Sequence, residues 1–201
     1  MEDKKYELVK EDSITIGNKT LYRIRALREF NDVKKGELGG YIEKEDNLSH
    51  YGNCWVFGNA RVYDNARAFG NATVYGNAWV YDDSEVYDNA RVFANVMVYG
   101  EARVFGNAWV YDNARVFGNA KIKSNDDYCY IHGFGSENRS TTFFRTEDGD
   151  IYVRCGCFKG NLEKFKNKVI ETHGDNKYAK EYLKIIELVK IKFDLEDDKN
   201  E

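Results

Sequence analysis

The side chains that could bind a metal or attack a substrate are few, with four cysteines and three histidines in 201 residues. Cys129, His132, Cys155 and Cys157 could together form a zinc site, but zinc ligands usually come in tight pairs such as C-x₂-C. Cys155 and Cys157 stand two positions apart on a predicted strand, so they face the same way, as core residues would. We therefore expect no metal and no cofactor.

The histidines give little support to catalysis. His50, His132 and His173 have no nucleophile or carboxylate partner at a suitable spacing. No glycine-rich phosphate loop is present, since corners and turns account for the glycines. Cys54 takes the place of a small residue in a repeat and is expected in the core rather than as a reactive thiol. The sequence predicts that the protein is not an enzyme.

Recognition by aromatic and arginine side chains has better support. All three tryptophans occupy the same slot of a short repeat. Trp and Arg are enriched at binding hot spots, and an exposed apolar patch of roughly a few hundred Å² often marks an interface. The predicted partner-binding residues are Trp55, Phe57, Tyr75, Trp79, Arg91, Phe93, Met97, Trp109, Tyr111 and Arg115.

A six-residue repeat must position these side chains. Its twelve units run from Tyr51 to Ile122 without an insertion or deletion. Each unit reads aromatic, Gly or Asp, Asn, Ala, a variable residue, then Val, with few exceptions such as Ala94. A fixed short period is typical of a solenoid, whose units bury their apolar side only by stacking on neighbours.

Alternation along each strand separates an inner from an outer face. In Ala60-Arg61-Val62-Tyr63, we expect Ala and Val to point inward, and the variable residue and the ring to point outward. The Gly/Asp-Asn pair then makes a corner, because Gly and Asn tolerate a left-handed backbone. Three strands and three corners close one coil. We predict a mainly β protein built on a triangular β-solenoid of about four coils, about 19 Å tall.

Equivalent units stack into three outer walls, which we number from the first unit. The variable slots hold Trp55, Thr73, Arg91 and Trp109 on wall 1; Arg61, Trp79, Met97 and Arg115 on wall 2; and Arg67, Glu85, Arg103 and Lys121 on wall 3. We expect wall 1 to contact another protein or a second copy of this chain. Nucleic acid is an alternative partner, since arginines between aromatic rings can hold phosphates beside stacked bases. The arginines concerned are Arg61, Arg67, Arg91, Arg103 and Arg115.

The flanking segments are expected to cap the solenoid, because its ends would otherwise expose unpaired strand edges. We divide the chain into a β-rich N-terminal cap (1–50), the repeat (51–122) and an α+β module (123–201). The cap should contain a hairpin over residues 13–25 about a Gly-Asn turn. The module should contain strands over 127–134, 141–146 and 151–158 and helices over 162–172 and 176–193.

Charge and composition narrow the setting. The net charge is −4, from 30 basic and 34 acidic residues, and no segment is strongly polarised. This balance counts against a nucleic-acid binder that acts mainly through charge. The chain has no apolar run near the roughly 18 residues of a membrane span, no apolar signal segment at its start, and no disulfide framework. We expect a cytoplasmic protein without membrane contact.

The repeat at Tyr51–Ile122 resembles the hexapeptide-repeat, left-handed β-helix superfamily, whose best-known members are acyltransferases. The resemblance implies a left-handed coil and makes a divergent acyltransferase a further alternative. The unit departs from the transferase pattern in carrying an aromatic residue after the aliphatic one. Those enzymes usually also interrupt the solenoid with a loop and place a histidine near a neighbouring subunit's coil. Residues 51–122 contain neither an interruption nor a histidine.

The whole chain more closely resembles uncharacterised repeat proteins of phages and prophages of Gram-positive bacteria. This resemblance lies in GGYIEKEDNLSHYGNCWV at 39–56 and GCFKGNLEKFKNKVIETHGDNKYAKEYL at 156–183. It implies a phage or prophage setting rather than a mechanism. By analogy with small phage proteins that lack catalytic residues, we expect binding to a host or phage protein, for example inhibition of a host defence system such as a CRISPR effector. The sequence thus favours a non-enzymatic protein that binds a macromolecule through its solenoid and C-terminal module.

Overall fold

The computed structural model describes residues 4–195. It begins with strands β1 (Tyr6–Ile16), β2 (Lys19–Ala26) and β3 (Leu38–Ile42). β1 and β2 form an antiparallel hairpin about a turn at Gly17, which confirms the predicted hairpin. β3 pairs antiparallel with β2 and parallel with the solenoid strand beside it, so the N-terminal sheet continues into wall 2.

Twelve two-residue strands, one per repeat unit, build the solenoid. In chain order β4–β15 are Trp55–Val56, Arg61–Val62, Arg67–Ala68, Thr73–Val74, Trp79–Val80, Glu85–Val86, Arg91–Val92, Met97–Val98, Arg103–Val104, Trp109–Val110, Arg115–Val116 and Lys121–Ile122. Each strand pairs in parallel with the equivalent strand of the next coil, as in the pairing of Arg61 with Trp79. The strands form three stacked sheets, which confirms the predicted β-solenoid with three walls.

Alanine and valine side chains fill the interior, as the alternation predicted. Ala60 and Val62, for example, are completely buried. Cys54 and Ser84 take alanine positions and are also completely buried, so the core position expected for Cys54 is confirmed. The Ser84 hydroxyl donates to the Tyr81 carbonyl at 2.8 Å, which satisfies its polar group inside the core. Because burying a valine side chain is worth about 1.5–3 kcal/mol, this row is a main source of stability.

The second position of the unit makes each corner. Gly58 and Asp64 have φ angles of 61°, and Ala94 adopts the same conformation at 64° although it carries a β-carbon. At Gly52 a β-carbon would lie 2.3 Å from the Gly70 carbonyl oxygen of the next coil, so no larger residue fits there. The corner therefore needs both a left-handed backbone and, at some positions, a close approach between coils.

The asparagines stack between coils and do not adopt the left-handed conformation expected of them. The Asn71 side-chain amide donates to Asn89 at 3.1 Å, and Asn89 donates to Asn107 at 3.3 Å. Ladders of this kind join identical side chains of neighbouring strands. The repeat thus uses its second position to bend the chain and its third to connect one coil to the next.

The solenoid begins before the regular repeat and has about five turns. Ile42 pairs in parallel with Val62, and Leu48 pairs with Ala68, so residues 39–50 supply a first coil. This coil is irregular, since a 3₁₀ turn at Glu45–Asn47 and a longer corner replace the usual unit. The sequence predicted about four coils, because the hexad pattern is absent before Tyr51 and does not reveal this first coil.

The C-terminal module has a four-stranded antiparallel sheet and two helices. They are β16 (Tyr128–Phe134), β17 (Arg139–Arg145), β18 (Ile151–Cys155), β19 (Phe158–Asn161), α1 (Leu162–His173) and α2 (Lys177–Lys192). The Asn161 side chain accepts a hydrogen bond from the Lys164 backbone N–H at 3.0 Å and caps α1. The strand predicted over 151–158 is two strands, because Gly156 turns the chain with a φ of 56°.

This module closes the far end of the solenoid. Phe144 and Tyr128 are buried in the same apolar cluster as the solenoid valines. The Arg115 N–H donates to Thr142 Oγ1 at 3.1 Å, which satisfies a backbone group on the last coil. Among residues 4–195, no helix has the length and apolar character needed to cross a membrane.

Candidate functional site

Wall 1 carries two exposed rings close together, although Tyr51 at the start of the repeat is more exposed, at 75 %. Trp109 is 44 % exposed and Tyr111 41 %. The Arg91 guanidinium lies over the Trp109 ring, with Cζ 4.9 Å from the ring centroid. Tyr75, Phe93 and Tyr111 stack in a column with centroid separations of 4.8 and 5.4 Å. We call Tyr75, Arg91, Phe93, Trp109 and Tyr111 the wall 1 surface.

Residues that follow the solenoid in the chain hold the wall 1 surface in place. The backbone N–H of Trp109 donates to Asn125 Oδ1 at 2.8 Å, in the segment that follows the solenoid. The Tyr111 ring meets Tyr128 edge-on at 6.1 Å, so the C-terminal module buttresses the column. A binding surface that is already ordered loses less side-chain entropy when it takes up a partner.

Trp55 does not belong to this surface, although its slot in the repeat is the same. It is completely buried, because the N-terminal segment folds over the first coil and places Tyr6 and Phe30 against the indole. Phe57 beside it is half-buried and packs on the solenoid core. The prediction that Trp55 is exposed on wall 1 is wrong, since the repeat sets the direction of the side chain but not what covers it.

Trp79 on wall 2 is also partly covered. It packs against a cluster of Leu21, Tyr41 and Tyr63 that joins the N-terminal hairpin to the wall. The Arg61 guanidinium lies over its ring, with Cζ 4.5 Å from the centroid. Because these contacts are made within the chain, they leave at most one edge of the Trp79 ring for contact with a partner.

Met97 and Arg115 lie farther along wall 2, beside the C-terminal sheet. Met97 is half-buried and Arg115 is exposed. Both line a cavity between the solenoid and β17. They pair with each other on wall 2, so neither is part of the wall 1 surface. The ten predicted partner-binding residues therefore fall into a wall 1 group, a buried N-terminal group and a group at the C-terminal junction.

The five repeat arginines do not form one basic stripe. Arg61 and Arg115 lie on wall 2, Arg67 and Arg103 on wall 3, and Arg91 on wall 1. On wall 3 carboxylates neutralise Arg103, which lies 3.9 Å from Glu85 and 3.3 Å from Glu147. A nucleic-acid strand running along one wall would meet at most two of these arginines.

A cavity of about 760 Å³ opens where the N-terminal segment meets the first coil. Its lining combines cations with acids: Lys4, Arg28, Lys44, Glu45, Asp46, His50 and Arg67. The sequence had given His50 no carboxylate partner, and the 3₁₀ turn corrects this by bringing Glu45 Oε2 within 3.6 Å of His50 Nε2.

A backbone neighbour sets the tautomer of the neutral His50 ring. Nδ1 accepts a hydrogen bond from the Lys5 N–H at 3.2 Å, so the neutral ring carries its proton on Nε2, facing Glu45. A hydrogen bond from Lys4 lowers the pKa of Glu45, and His50 adds to this effect. The ring stacks on Tyr6 at 4.3 Å, which orients it within the cavity wall.

The cysteines near the C-terminus do not share one environment. Cys155 is half-buried at the end of β18, with Sγ 3.5 Å from the Tyr182 hydroxyl. Cys157 is exposed, so the expectation that both point into the core is wrong, because Gly156 reverses the chain between them. Within residues 4–195 no three His, Cys, Asp or Glu side chains come together as a metal site.

The repeat is similar to one known family. Residues 66–82 match the family model described as YdcK Beta solenoid repeat. Over 40 residues the chain is 45 % identical to the Uncharacterized acetyltransferase YdcK of Escherichia coli (strain K12). This stretch is 20 % of the chain and 12 % of that protein, so the match covers only a small part of its relative.

These similarities agree with a repeat β-solenoid and correct one prediction. The sequence predicted that the protein is not an enzyme. This prediction is wrong, because the matching relative is named as an acetyltransferase. The similarity to phage and prophage proteins stays a prediction from the sequence.

Proposed function

We propose that the wall 1 surface binds an extended segment of a partner protein. The observation that carries this proposal is the exposed pair Trp109 and Tyr111, which stands beside Arg91 on a rigid parallel sheet. Trp, Tyr and Arg are the residue types that dominate binding hot spots. The surface is aromatic, and the chain leaves Trp109 and Tyr111 more than 40 % exposed to solvent.

The charge of the surface favours a protein over nucleic acid. Arg91 is the single cation in the variable slots of wall 1, and among residues 4–195 no carboxylate lies within 4.0 Å of it. Neutralising several phosphates needs several cations on one face. One arginine over an indole instead suits a partner that inserts an apolar side chain and offers one carboxylate.

The size of the wall favours a short segment over a folded domain. Four strands at about 4.8 Å spacing give a height of about 19 Å, and one side of the triangle spans at most about 20 Å. The footprint is therefore about 400 Å², whereas a standard interface between folded proteins buries about 800 Å² on each side. Because the N-terminal segment covers Trp55, the exposed part of wall 1 is smaller still.

A peptide-display selection on the immobilised protein tests this proposal. We expect enrichment of peptides that place Asp or Glu within a few residues of a large apolar side chain. Tyr111→Ala should abolish the enrichment. Phe105→Ala is the matched control, because Phe105 occupies the same repeat position on wall 3 and stacks on Tyr87 at 5.1 Å. No enrichment, or equal loss in both variants, would overturn the proposal.

Acetyl transfer is a second candidate function, favoured by the name of the matching relative. In such a reaction the bond from the acetyl carbon to the sulfur of acetyl-CoA breaks, a bond to an acceptor nitrogen or oxygen forms, and the acceptor's proton passes to the thiolate. The N-terminal cavity suits the cofactor's phosphates, since Lys44 and Arg67 line it beside His50.

Calorimetric titration with acetyl-CoA tests this second candidate. Binding should weaken in Lys44→Ala and Arg67→Ala and be unchanged in Arg91→Ala, which lies on another wall. The absence of binding heat at millimolar acetyl-CoA would remove the candidate.

A further inference from the structure

A second cavity, of about 350 Å³, lies between wall 2 and the C-terminal sheet. Its lining contains three arginines and no acidic residue: Asn95, Met97, Asn113, Arg115, Arg139, Ser140, Thr142, Arg154 and Gly156. The solenoid contributes one arginine and the C-terminal sheet two, so the cavity exists only where the two parts meet.

The three guanidinium groups lack counter-ions. Among residues 4–195, no carboxylate lies within 4.0 Å of Arg115, Arg139 or Arg154. Arg154 Nε is buried without a hydrogen-bond acceptor, and its Nη1 donates only a long bond of 3.4 Å to the Phe158 carbonyl. Like charges that share a cavity repel one another, and an unpaired buried donor costs free energy.

Neutral groups around the arginines add hydrogen-bond capacity. The Thr142 hydroxyl accepts from the backbone N–H of Arg115 at 3.1 Å, which leaves its own proton to donate. The Ser140 hydroxyl is fixed beside Tyr130 at 2.8 Å. Burial raises the pKa of Tyr99 on the same wall, and Arg154 and Arg115 both oppose that rise, so the field of the arginines extends across this region.

We propose that this cavity binds the phosphate or diphosphate group of a small molecule. Phosphate oxygens match the paired N–H donors of guanidinium groups, and such charge-assisted bonds are among the strongest in proteins. The cavity is at the small end of ligand sites, which suits the phosphate end of a ligand. No aromatic residue lines it, so it offers no platform on which the bases of a nucleic acid could stack.

This site is distinct from the wall 1 surface. Of the residues predicted from the sequence, it includes Met97 and Arg115. The sequence did not predict Arg139 and Arg154 as site residues, because they lie on strands of the C-terminal module. These strands are outside the repeat, so its period does not reveal that they face wall 2. The proposal also stands apart from acetyl transfer, whose candidate cavity is lined by cations and acids and lies at the opposite end of the solenoid.

Calorimetric titration with inorganic pyrophosphate at low ionic strength tests the site. We expect saturable binding that weakens at least about tenfold in Arg115→Ala and in Arg139→Ala, as for the loss of one charge-assisted hydrogen bond. Arg103→Ala on wall 3 is the matched control and should leave the affinity unchanged, because Arg103 lines neither cavity and is paired with Glu85 and Glu147. Both replaced arginines are exposed, so neither variant should prevent folding, which circular dichroism can verify.

Three outcomes would overturn the proposal. They are no binding of pyrophosphate, equal binding by all variants, and an equal loss of affinity in Arg103→Ala. A single-stranded oligonucleotide supplies the comparison with a polymeric phosphate source. The oligonucleotide should bind no more tightly than pyrophosphate. Tighter binding of the oligonucleotide that requires Arg115 and Arg139 would overturn the assignment of the cavity to a small molecule.

Discussion

At the scale of single residues, the same repeat slot serves different purposes in different surroundings. Trp55 is completely buried beneath Tyr6 and Phe30 and joins the N-terminal segment to the first coil. Trp109 is 44 % exposed and contacts Arg91. The first tryptophan therefore contributes to folding, and the second is free to contribute to binding.

Replacing each tryptophan should separate these two contributions. Trp55→Ala should lower the free energy of unfolding by about 3–5 kcal/mol, as expected for a fully buried aromatic side chain. Trp109→Ala should lower it by less than about 1.5 kcal/mol, because much of the ring already contacts water. Urea unfolding of the two variants measures both values. Equal losses would show that Trp109 is as much a core residue as Trp55.

At the scale of elements, columns of stacked rings reinforce each wall from outside. On wall 2, Tyr63, Tyr81, Tyr99 and Phe117 stack at 5.2, 5.1 and 5.4 Å. Aromatic pairs on neighbouring strands add about 0.5–1.5 kcal/mol each. Stacking also withdraws the hydroxyls from water, and this burial is the main cause that raises the pKa of Tyr63 and of Tyr81 to about 12. Asp82 adds to the rise at Tyr63, and the neighbouring rings of Tyr99 and Tyr63 add to it at Tyr81.

The column should make the protein sensitive to alkali. An unfolded tyrosine ionises near pH 10, whereas Tyr63 and Tyr81 hold their protons to about pH 12 in the folded protein. Their contribution to stability is thus complete below pH 10 and is lost as the pH rises from 10 to 12. Urea unfolding across this range measures the fall. The double variant Tyr63→Phe, Tyr81→Phe should show a smaller fall, and an unchanged one would contradict the assignment.

The elements also show how far sequence reasoning reaches. The hexad pattern predicted the strands, their inward valines and the three walls, because each unit meets the same neighbours. It could not predict the burial of Trp55, since the covering residue Phe30 lies in a segment without periodicity. The arginine cavity was missed for the same reason: Arg115 belongs to the repeat, but Arg139 and Arg154 reach it only through the packing of another sheet.

At the scale of the whole molecule, the protein is a stack of nearly equivalent coils between two different ends. The N-terminal sheet extends wall 2, and the C-terminal module covers the last coil through contacts such as the bridge between Ala120 and Thr146. In such a stack each coil contacts only its neighbours, so stability is close to a sum of coil and interface contributions.

This organisation predicts that one whole coil can be removed. Deletion of residues 71–88 joins Gly70 to Asn89 and keeps the hexad in phase on every wall. The shortened protein should fold cooperatively, with a lower melting temperature because one interface is missing. Deletion of 71–79 puts corners opposite strands and should abolish cooperative unfolding. Circular dichroism melting curves compare the two, and similar behaviour would contradict a coil-by-coil architecture.

The most direct test of the binding surface is the affinity of an enriched peptide, measured by fluorescence anisotropy, for the parent protein and for Trp109→Ala. Loss of a hot-spot tryptophan should weaken binding about 30-fold, or about 2 kcal/mol. Arg103→Ala should change the affinity less than about twofold, because Arg103 lies on wall 3. Its exposed ion pairs also contribute little to stability. Unchanged affinity in Trp109→Ala would contradict the assignment of binding to wall 1.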